Sequence, residues 1–406
     1  MKDEIRGLRV IKGGVTAAAG FLAGSVYCGV KEGNLEREDV VLIFSESPAV
    51  AAGTFTTNKV KAAPVVVSMG RMRGAGARAI IANSGNANAC TGARGRETAR
   101  RMCGAAAKAL GIAEREVLVC STGRIGVQLP IEKMEAAIAR LPGVLGRKSN
   151  EAARAIMTSD TFPKEMAVEC EVGGKVVRVG GIAKGAGMID PNMATMLSFI
   201  TTDAAIGKGD LQTALRASVG QSFNHITVDG DMSTNDTVLA LANGRAGNRA
   251  LKPGSRDFAG FQAALDRVTA GLARMIVKDG EGVSRFIDLR VTGARTEREA
   301  RLAARAIANS TLVKCAWYGA DPNWGRIMDA VGYSGARIRE GRIRIDYNGM
   351  LAVDGGMPAA TPIGKLQTVV RKKEFTITVD LGVGSGSHNI WTTDLTTKYV
   401  EFNMGE

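Results

Sequence analysis

Histidine is almost missing from this chain: two residues in 406, beside six cysteines. Cys28, Cys90, Cys103, Cys120, Cys170 and Cys315 never form C-x-x-C. That excludes the usual zinc patterns, which need thiolates and imidazoles at close spacing, and no metal is expected. Irregularly spaced thiols in a chain of this size fit a reducing, cytosolic setting. H-E-x-x-H is absent, as is a Walker loop; Gly181-Ile182-Ala183-Lys184-Gly185 puts its lysine before the glycine. No serine sits in G-x-S-x-G, which removes the nucleophile elbow of α/β-hydrolases. Gly74-Ala75-Gly76-Ala77-Arg78-Ala79 only faintly echoes a dinucleotide fingerprint, because it runs into a strand-like segment rather than a helix. No apolar run is long enough to span a bilayer. Val15 to Val30, interrupted by Gly20, Gly24, Ser25 and Gly29, is a weak signal segment without a cleavage pattern. A cytoplasmic protein with no membrane partner is expected.

Aromatics are scarce at 5%, whereas glycine reaches 51 residues, so turns and close backbone approaches should be frequent. With 45% hydrophobic and 23% charged residues, the composition is that of an ordinary globular protein of one large body or two to three domains. The net charge is +13. Its basic clusters, Arg94 to Arg101, Arg337 to Arg344 and Arg371 to Lys373, are dispersed and lack an aromatic platform. They read as a solvated surface rather than a nucleic-acid face.

Strand-like runs lie at Val40 to Phe44, Pro64 to Ser68, Ala79 to Ala82 and Val117 to Cys120. Helical patterns cover Glu97 to Leu110, Ile131 to Ala139 and Asn150 to Met157. Gly173-Gly174 joins Ala167 to Val172 and Lys175 to Val179 as a hairpin. Beyond it, Met196 to Ile200 and Thr237 to Ala242 read as strands, and Asp210 to Ser222 and Phe261 to Lys278 as helices. The last third reads as strands at Phe286 to Val291, Val313 to Trp317, Ile343 to Tyr347 and Phe375 to Leu381, with helices at Glu297 to Ala308 and Trp324 to Val331. The fold class is α/β, an α+β layered sandwich rather than strict βαβ alternation. A boundary near 279–285 sets off a smaller C-terminal α/β domain, 286–406.

Three segments carry chemistry. In Gly180 to Asp203, a glycine-rich approach ends in Pro191-Asn192-Met193-Ala194 and meets Thr195 at the start of an apolar strand. A threonine hydroxyl needs a base beside it, and a free α-amine on the same residue is one source. Cutting the Ala194–Thr195 bond would supply that amine. Cys120-Ser121-Thr122-Gly123 ends a strand in a hydroxyl and a glycine, a turn able to face a developing oxyanion. Asn83 to Asn88 reads as a functional loop or as a tight turn. His225 and the acidic stretch Asp229-Gly230-Asp231 to Asp236 lack EF-hand spacing and read as a structural loop.

Taken in order, Ala82 to Ala89, Ser121-Thr122-Gly123, Asp160 to Lys164, Gly181 to Ile189 and Met193 to Leu197 resemble the ornithine acetyltransferase family, also called glutamate N-acetyltransferase. Thr227 to Asp231, Ser233 to Asp236, Lys278 to Gly282 and Tyr318 to Arg326 extend that resemblance nearly end to end. It implies a self-processing acyltransferase, with Thr195 as both cleavage residue and nucleophile, and Thr122 and Gly123 as the oxyanion hole. Thr161, Lys184, Thr195, Glu281 and Asn403 match substrate-binding positions. Lys184 suits a substrate carboxylate and Glu281 a substrate ammonium. Two departures stand out: Arg124 follows the oxyanion glycine where an apolar residue is expected, and the family's short tail with a terminal threonine is not matched after Asn403. Closure of the pocket is therefore expected to differ.

The resemblance further implies an α chain of 1–194, a β chain of 195–406, and a heterotetramer of two of each. The expected reaction moves acetyl from N-acetylornithine to glutamate by ping-pong, without a cofactor; acetyl-CoA stands as an alternative donor. Two rivals remain at this point: a self-processing aminopeptidase of related architecture, which passes the acyl group to water, and a basic nucleic-acid-binding protein.

Overall fold

The computed structural model describes residues 7–30, 37–74, 76–190 and 196–404. The chain forms two compact units. Residues up to 185, 191–224 and 232–276 make the first; 186–190, 225–231 and 277–406 make the second.

The first unit opens with β1 (Arg9–Ile11), β2 (Phe21–Val26), β3 (Val40–Ser45) and β4 (Val50–Phe55). There follow α1 (Ala63–Arg71), β5 (Ala79–Asn83), α2 (Gly92–Leu110), β6 (Val117–Ser121), α3 (Ile131–Ile138) and α4 (Ser149–Ala155). The hairpin β7 (Lys164–Val172) and β8 (Lys175–Lys184) precedes β9 (Leu197–Thr202), α5 (Lys208–Gln221), β10 (Thr237–Ala242) and α6 (Arg256–Lys278). Two sheets result, one in the order β1-β7-β8-β9-β10-β4 and one in the order β2-β3-β5-β6.

Alternation along the four-stranded sheet explains the layering. Val41, Ile43, Ile80, Ala82, Leu118 and Cys120 point into one apolar cluster with Ile182, Phe199, Leu239 and Leu241 of the six-stranded sheet. Their neighbours Leu42, Ile81, Val117 and Val119 point the other way, into a cluster with Ala99, Met102 and Ala106 of α2 and Met134 and Ile138 of α3. A strand buried on both faces reads as continuous apolar sequence, which is how these strands read. The expected layered α/β sandwich is what forms.

Two segments differ from the sequence reading. Pro64 to Ser68 lies in α1, not in a strand: Pro64 opens the helix, and Val65, Val67 and Ser68 are buried on its inner face. The Ser68 hydroxyl donates to the Val119 carbonyl at 2.7 Å and accepts from the Val119 N–H at 2.9 Å, covering the open edge of β6. Val15 to Val30, weighed as a signal segment, supplies β2, with Phe21 and Ala23 in the core.

β8 also runs five residues past Val179, through Gly180 and Gly181, to Lys184. A Cβ at Gly180 would stand 1.9 Å from the Gly14 carbonyl oxygen, and one at Gly181 would stand 3.0 Å from Leu272 of α6. Glycine here lets chain and helix approach the strand from opposite faces. Pairing then aligns Lys184 with Leu197, and Leu197 with Thr237. The end of β8 and the starts of β9 and β10 thus share one sheet edge.

The second unit holds β11 (Phe286–Ala294), α7 (Glu297–Ala308), α8 (Thr311–Tyr318), α9 (Trp324–Tyr333), β12 (Arg344–Tyr347), β13 (Met350–Asp354) and β14 (Met357–Pro358). It ends with α10 (Ile363–Val370), β15 (Glu374–Asp380), β16 (Gly386–Thr393) and α11 (Thr397–Phe402). Its sheet runs β14-β13-β12-β15-β11-β16 over a separate core that includes Trp317, Ile345, Tyr347 and Ile377. Val313 to Trp317, read as a strand, is helical in α8, because the Ser310 side chain caps the Val313 N–H and Val313, Ala316 and Trp317 share a buried face.

Two glycine substitutions separate crowding from propensity. Gly180→Ala is expected to cost about 1–3 kcal/mol or more, since backbone must move. Gly70→Ala, in α1 with nothing within 4 Å of its Cβ, is expected to gain about 0.5–1 kcal/mol. Urea-unfolding midpoints of the two variants check both.

Candidate active site

Parallel pairing sets Asn83, the last residue of β5, beside Ser121, the last of β6. The Ser121 hydroxyl donates to Asn83 Oδ1 at 2.7 Å, and Asn83 Nδ2 donates to the Asn86 carbonyl at 2.9 Å. Asn83 to Asn88 is therefore a built support for the 121–123 turn, not a bare connection. Thr122 is buried, and its backbone N–H donates to the Asn83 carbonyl at 3.0 Å. The oxyanion donors this turn can offer are thus the Thr122 hydroxyl and the Gly123 N–H. Gly123 has φ +129°, and a Cβ there would stand 2.3 Å from the Gly85 carbonyl carbon. Only glycine lets the two turns touch.

Lys184, at the end of β8, reaches the same place: its Nζ donates to Thr122 Oγ1 at 3.3 Å, and the residue is 3% exposed. An ammonium so buried needs a counter-charge. Asp160 provides it, with Oδ1 accepting from Lys164 Nζ at 2.6 Å and from the Gly185 N–H at 2.7 Å, and Oδ2 from the Thr158 N–H at 3.0 Å. Burial alone would raise the Asp160 carboxyl, yet the charges of Lys184 and Lys164 and the bond from Gly185 hold it down at about 2. Thr161 lies exposed on the loop between Asp160 and Lys164.

Thr195 lies outside the described residues, but Met196 beside it is held at both ends. Its N–H donates to Asp236 Oδ1 at 2.8 Å, and its carbonyl accepts from the Thr237 N–H at 3.0 Å. Burial drives the Asp236 carboxyl well above the carboxylate range, against the Met196 bond and the Lys184 charge. Asn235 Nδ2 donates to the Ser121 carbonyl at 2.8 Å and the Ala87 carbonyl at 2.6 Å. The sequence reading places Asn235 and Asp236 in a structural loop and in the Ser233 to Asp236 stretch of the resemblance, and gives them no role at the site; the available signal was two side chains with polar ends immediately before the apolar strand β10.

In the second unit, Asn403 Nδ2 donates to Glu281 Oε2 at 3.1 Å, and the Glu281 N–H donates to the Ala186 carbonyl at 3.1 Å. The Glu281 carboxylate also packs against Gly187, where a Cβ would stand 2.3 Å from Oε2. Asp229, read as part of a structural loop, accepts from the N–H groups of Met188, Ile189 and Asp231. So Thr122, Gly123 and Lys184 come together in one unit, and Glu281 and Asn403 in the other. Arg124 is exposed. No group of three or more histidine, cysteine, aspartate or glutamate side chains that could hold a metal occurs among the described residues, and no helix among them is long and apolar enough to cross a membrane.

Removing the shared counter-charge should be costly. Asp160→Asn leaves two buried ammoniums and is expected to lose about 3–5 kcal/mol at neutral pH. A carboxyl depressed in the fold stabilises above its unfolded value, and that contribution disappears as pH falls through about 2. Denaturant melts between pH 5 and 2 should therefore show the wild type converging on Asp160→Asn.

The ArgJ family profile matches residues 22–405. The arginine biosynthesis bifunctional protein ArgJ of Symbiobacterium thermophilum is 48% identical over 97% of this chain and 98% of its own. The glutamate N-acetyltransferase of Methanocaldococcus jannaschii is 47% identical over 98% of this chain and 99% of its own. Among solved structures, the arginine biosynthesis bifunctional protein ArgJ of Bacillus halodurans matches with a TM-score of 0.51 and 43% identity, covering 52% of this chain and 100% of that one. Matched almost end to end by that profile and by relatives close to half identical, the chain belongs to the ArgJ family.

Proposed function

We propose that this protein is a glutamate N-acetyltransferase of arginine biosynthesis, an acyltransferase that moves acetyl from N2-acetyl-L-ornithine to L-glutamate through an acetyl-threonine at Thr195. The observation that carries the reading is the Lys184 ammonium on the Thr122 hydroxyl. By donating to Thr122 Oγ1, the lysine leaves the hydroxyl hydrogen available to an incoming oxyanion and adds positive charge beside it.

Maturation starts with attack of the Thr195 hydroxyl on the Ala194 carbonyl; the Ala194–Thr195 C–N bond breaks as its nitrogen takes the hydroxyl proton, and water then hydrolyses the ester and leaves chains 1–194 and 195–406. The ArgJ chain of B. halodurans, covered completely, spans only 52% of this one. Residues 195–406 number 212 of 406, a similar share, which supports a mature chain of about half length. The freed α-amine, with a reference pKa of about 7.7–8.0, accepts the Thr195 hydroxyl proton.

In the first half-reaction, Thr195 Oγ bonds to the acetyl carbon. The Thr122 hydroxyl and Gly123 N–H take the oxyanion, and the C–N bond to ornithine breaks as its nitrogen receives the proton. In the second, the glutamate amine attacks the ester, N-acetylglutamate leaves, and Thr195 recovers its proton. Thr161, Lys184, Glu281 and Asn403 bind substrate in this proposal, Lys184 through its carboxylate and Glu281 through its ammonium. Lys184 thus serves both the carboxylate and the oxyanion turn. The cycle uses no cofactor, and acetyl-CoA is kept as an alternative donor. The chains are proposed to assemble as a cytoplasmic heterotetramer.

Two variants check this reading. Wild-type protein should run on a denaturing gel as fragments of 194 and 212 residues, and Thr195→Ala as one inactive chain; an active, cut Thr195→Ala protein would sink the proposal. Thr122→Val should be folded but slower in kcat by roughly 10²–10³-fold, measured by acetyl transfer to glutamate.

A further inference from the structure

We infer that Asn235 and Asp236 are positioning residues that set the distance between the oxyanion turn and the nucleophile. This rests on the reading of Thr195 as nucleophile, and it assigns work to a dipeptide outside the group that meets substrate.

The argument begins with the connectivity of the sheets. The oxyanion turn follows β6 in the four-stranded sheet, and Met196 precedes β9 in the six-stranded sheet. Apolar side chains fill the space between those sheets. Such contacts are non-directional and tolerate sliding, whereas acyl transfer needs reacting atoms held near 3–3.5 Å and aligned. Hydrogen bonds to specific backbone atoms can impose that alignment.

Asn235 and Asp236 make them in opposite directions from adjacent positions. Asn235 Nδ2 holds the Ser121 carbonyl, which belongs to the peptide entering Thr122. It also holds the Ala87 carbonyl in the supporting loop. Asp236 Oδ1 holds the Met196 N–H, and that nitrogen is the amide nitrogen of the Thr195–Met196 peptide. A peptide is planar, so a hold on this N–H constrains the link to the residue proposed as nucleophile. The Thr237 N–H on the Met196 carbonyl holds the next peptide as well.

The dipeptide itself is braced. Asn235 Oδ1 accepts from the Thr234 hydroxyl at 2.6 Å, its N–H donates to Ser233 Oγ at 3.1 Å, and its carbonyl accepts from the Thr237 hydroxyl at 2.9 Å. The Asp236 carbonyl accepts from the Thr56 N–H at 2.9 Å. Asn235 and Asp236 are 5% and 1% exposed, so water does not compete for these bonds. One side-chain amide and one carboxyl thus connect the two halves of the reaction centre through a single peptide unit.

The test is a rate comparison at the acceptor oxygen. Asp236→Ala removes the hold on the Met196 N–H, and kcat for acetyl transfer should fall roughly 10²-fold, as a displacement near 1 Å does. KM for glutamate should stay within about threefold, because substrate contacts are untouched. Self-cleavage, timed on a gel, should slow in proportion. Asp236→Asn keeps an oxygen for the same N–H, so it should restore kcat to within about tenfold of wild type with an unchanged pH profile. If Asp236→Ala does not fold, Asp236→Glu, which moves the acceptor by one methylene, should show the same loss in kcat.

Wild-type kcat in Asp236→Ala or Asp236→Glu overturns the inference. So does Asp236→Asn as slow as Asp236→Ala, or with its acid limb displaced, because the carboxyl would then act as a proton carrier. Thr195→Ala is run in parallel. An inert Thr195→Ala beside a full-rate Asp236→Ala removes only the positioning role; an active Thr195→Ala removes the nucleophile and this inference together.

Discussion

A lysine ammonium stays charged in a protein interior only where a counter-charge meets it, and Asp160 meets two. Lys164 and Lys184 are both buried, and the carboxylate between them keeps its charge despite burial because both cations and the Gly185 N–H face it. Breaking such an arrangement is far more expensive than leaving it out. It persists because it fixes the end of β8, and with it the cation beside the Thr122 hydroxyl. The chemistry proposed for the turn depends on that cation.

The topology explains why the reactive groups gather where they do. β8 runs antiparallel to β9, and β9 parallel to β10, so one C-terminal end and two N-terminal ends meet on one edge. β5 and β6 are parallel and end together at Asn83 and Ser121. Polar side chains at strand ends can leave the apolar interior without breaking the ladders, whereas those in mid-strand cannot. Thr122, Lys184, Asn235 and Asp236 all occupy such ends. In the first unit a site built on strand termini inherits the rigidity of the sheets, which suits chemistry that depends on alignment.

Much of the fold could be read from residue order. Alternating or continuous apolar runs found β3, β5, β6, β9 and β10, and the glycine pair at 173–174 found the β7–β8 hairpin. The errors share one cause. Pro64 to Ser68 and Val313 to Trp317 are short apolar runs rich in β-branched or aromatic residues, and a run of that length has no period that distinguishes strand from buried helix. Packing decided both: α1 covers the edge of β6, and α8 lies on the core of the second unit. β8 was cut short for a related reason, since Gly180 and Gly181 look like punctuation until their neighbours Gly14 and Leu272 are seen.

The site was legible where chemistry resides in residue type and local order. Thr122-Gly123 could be named from residue type, a hydroxyl beside glycine at a strand end, whereas Lys184 and Glu281 could be named only through the resemblance, which also assigned the roles. Asn235 and Asp236 could not, because their partners are the backbone of Ser121 and Met196, and a backbone atom leaves no trace in the alphabet of side chains. Sequence by itself determined β3, β5, β6, β9 and β10, the β7–β8 turn and the family, all of which depend on local pattern or shared residues. Tertiary structure alone decided that Asp160 would serve Lys184 as well as its near neighbour Lys164 and that one dipeptide would grip two sheets, because the bonds from Asp160 to Gly185, Asn235 to Ser121 and Asp236 to Met196 span 25, 114 and 40 positions, and only folding creates their distances.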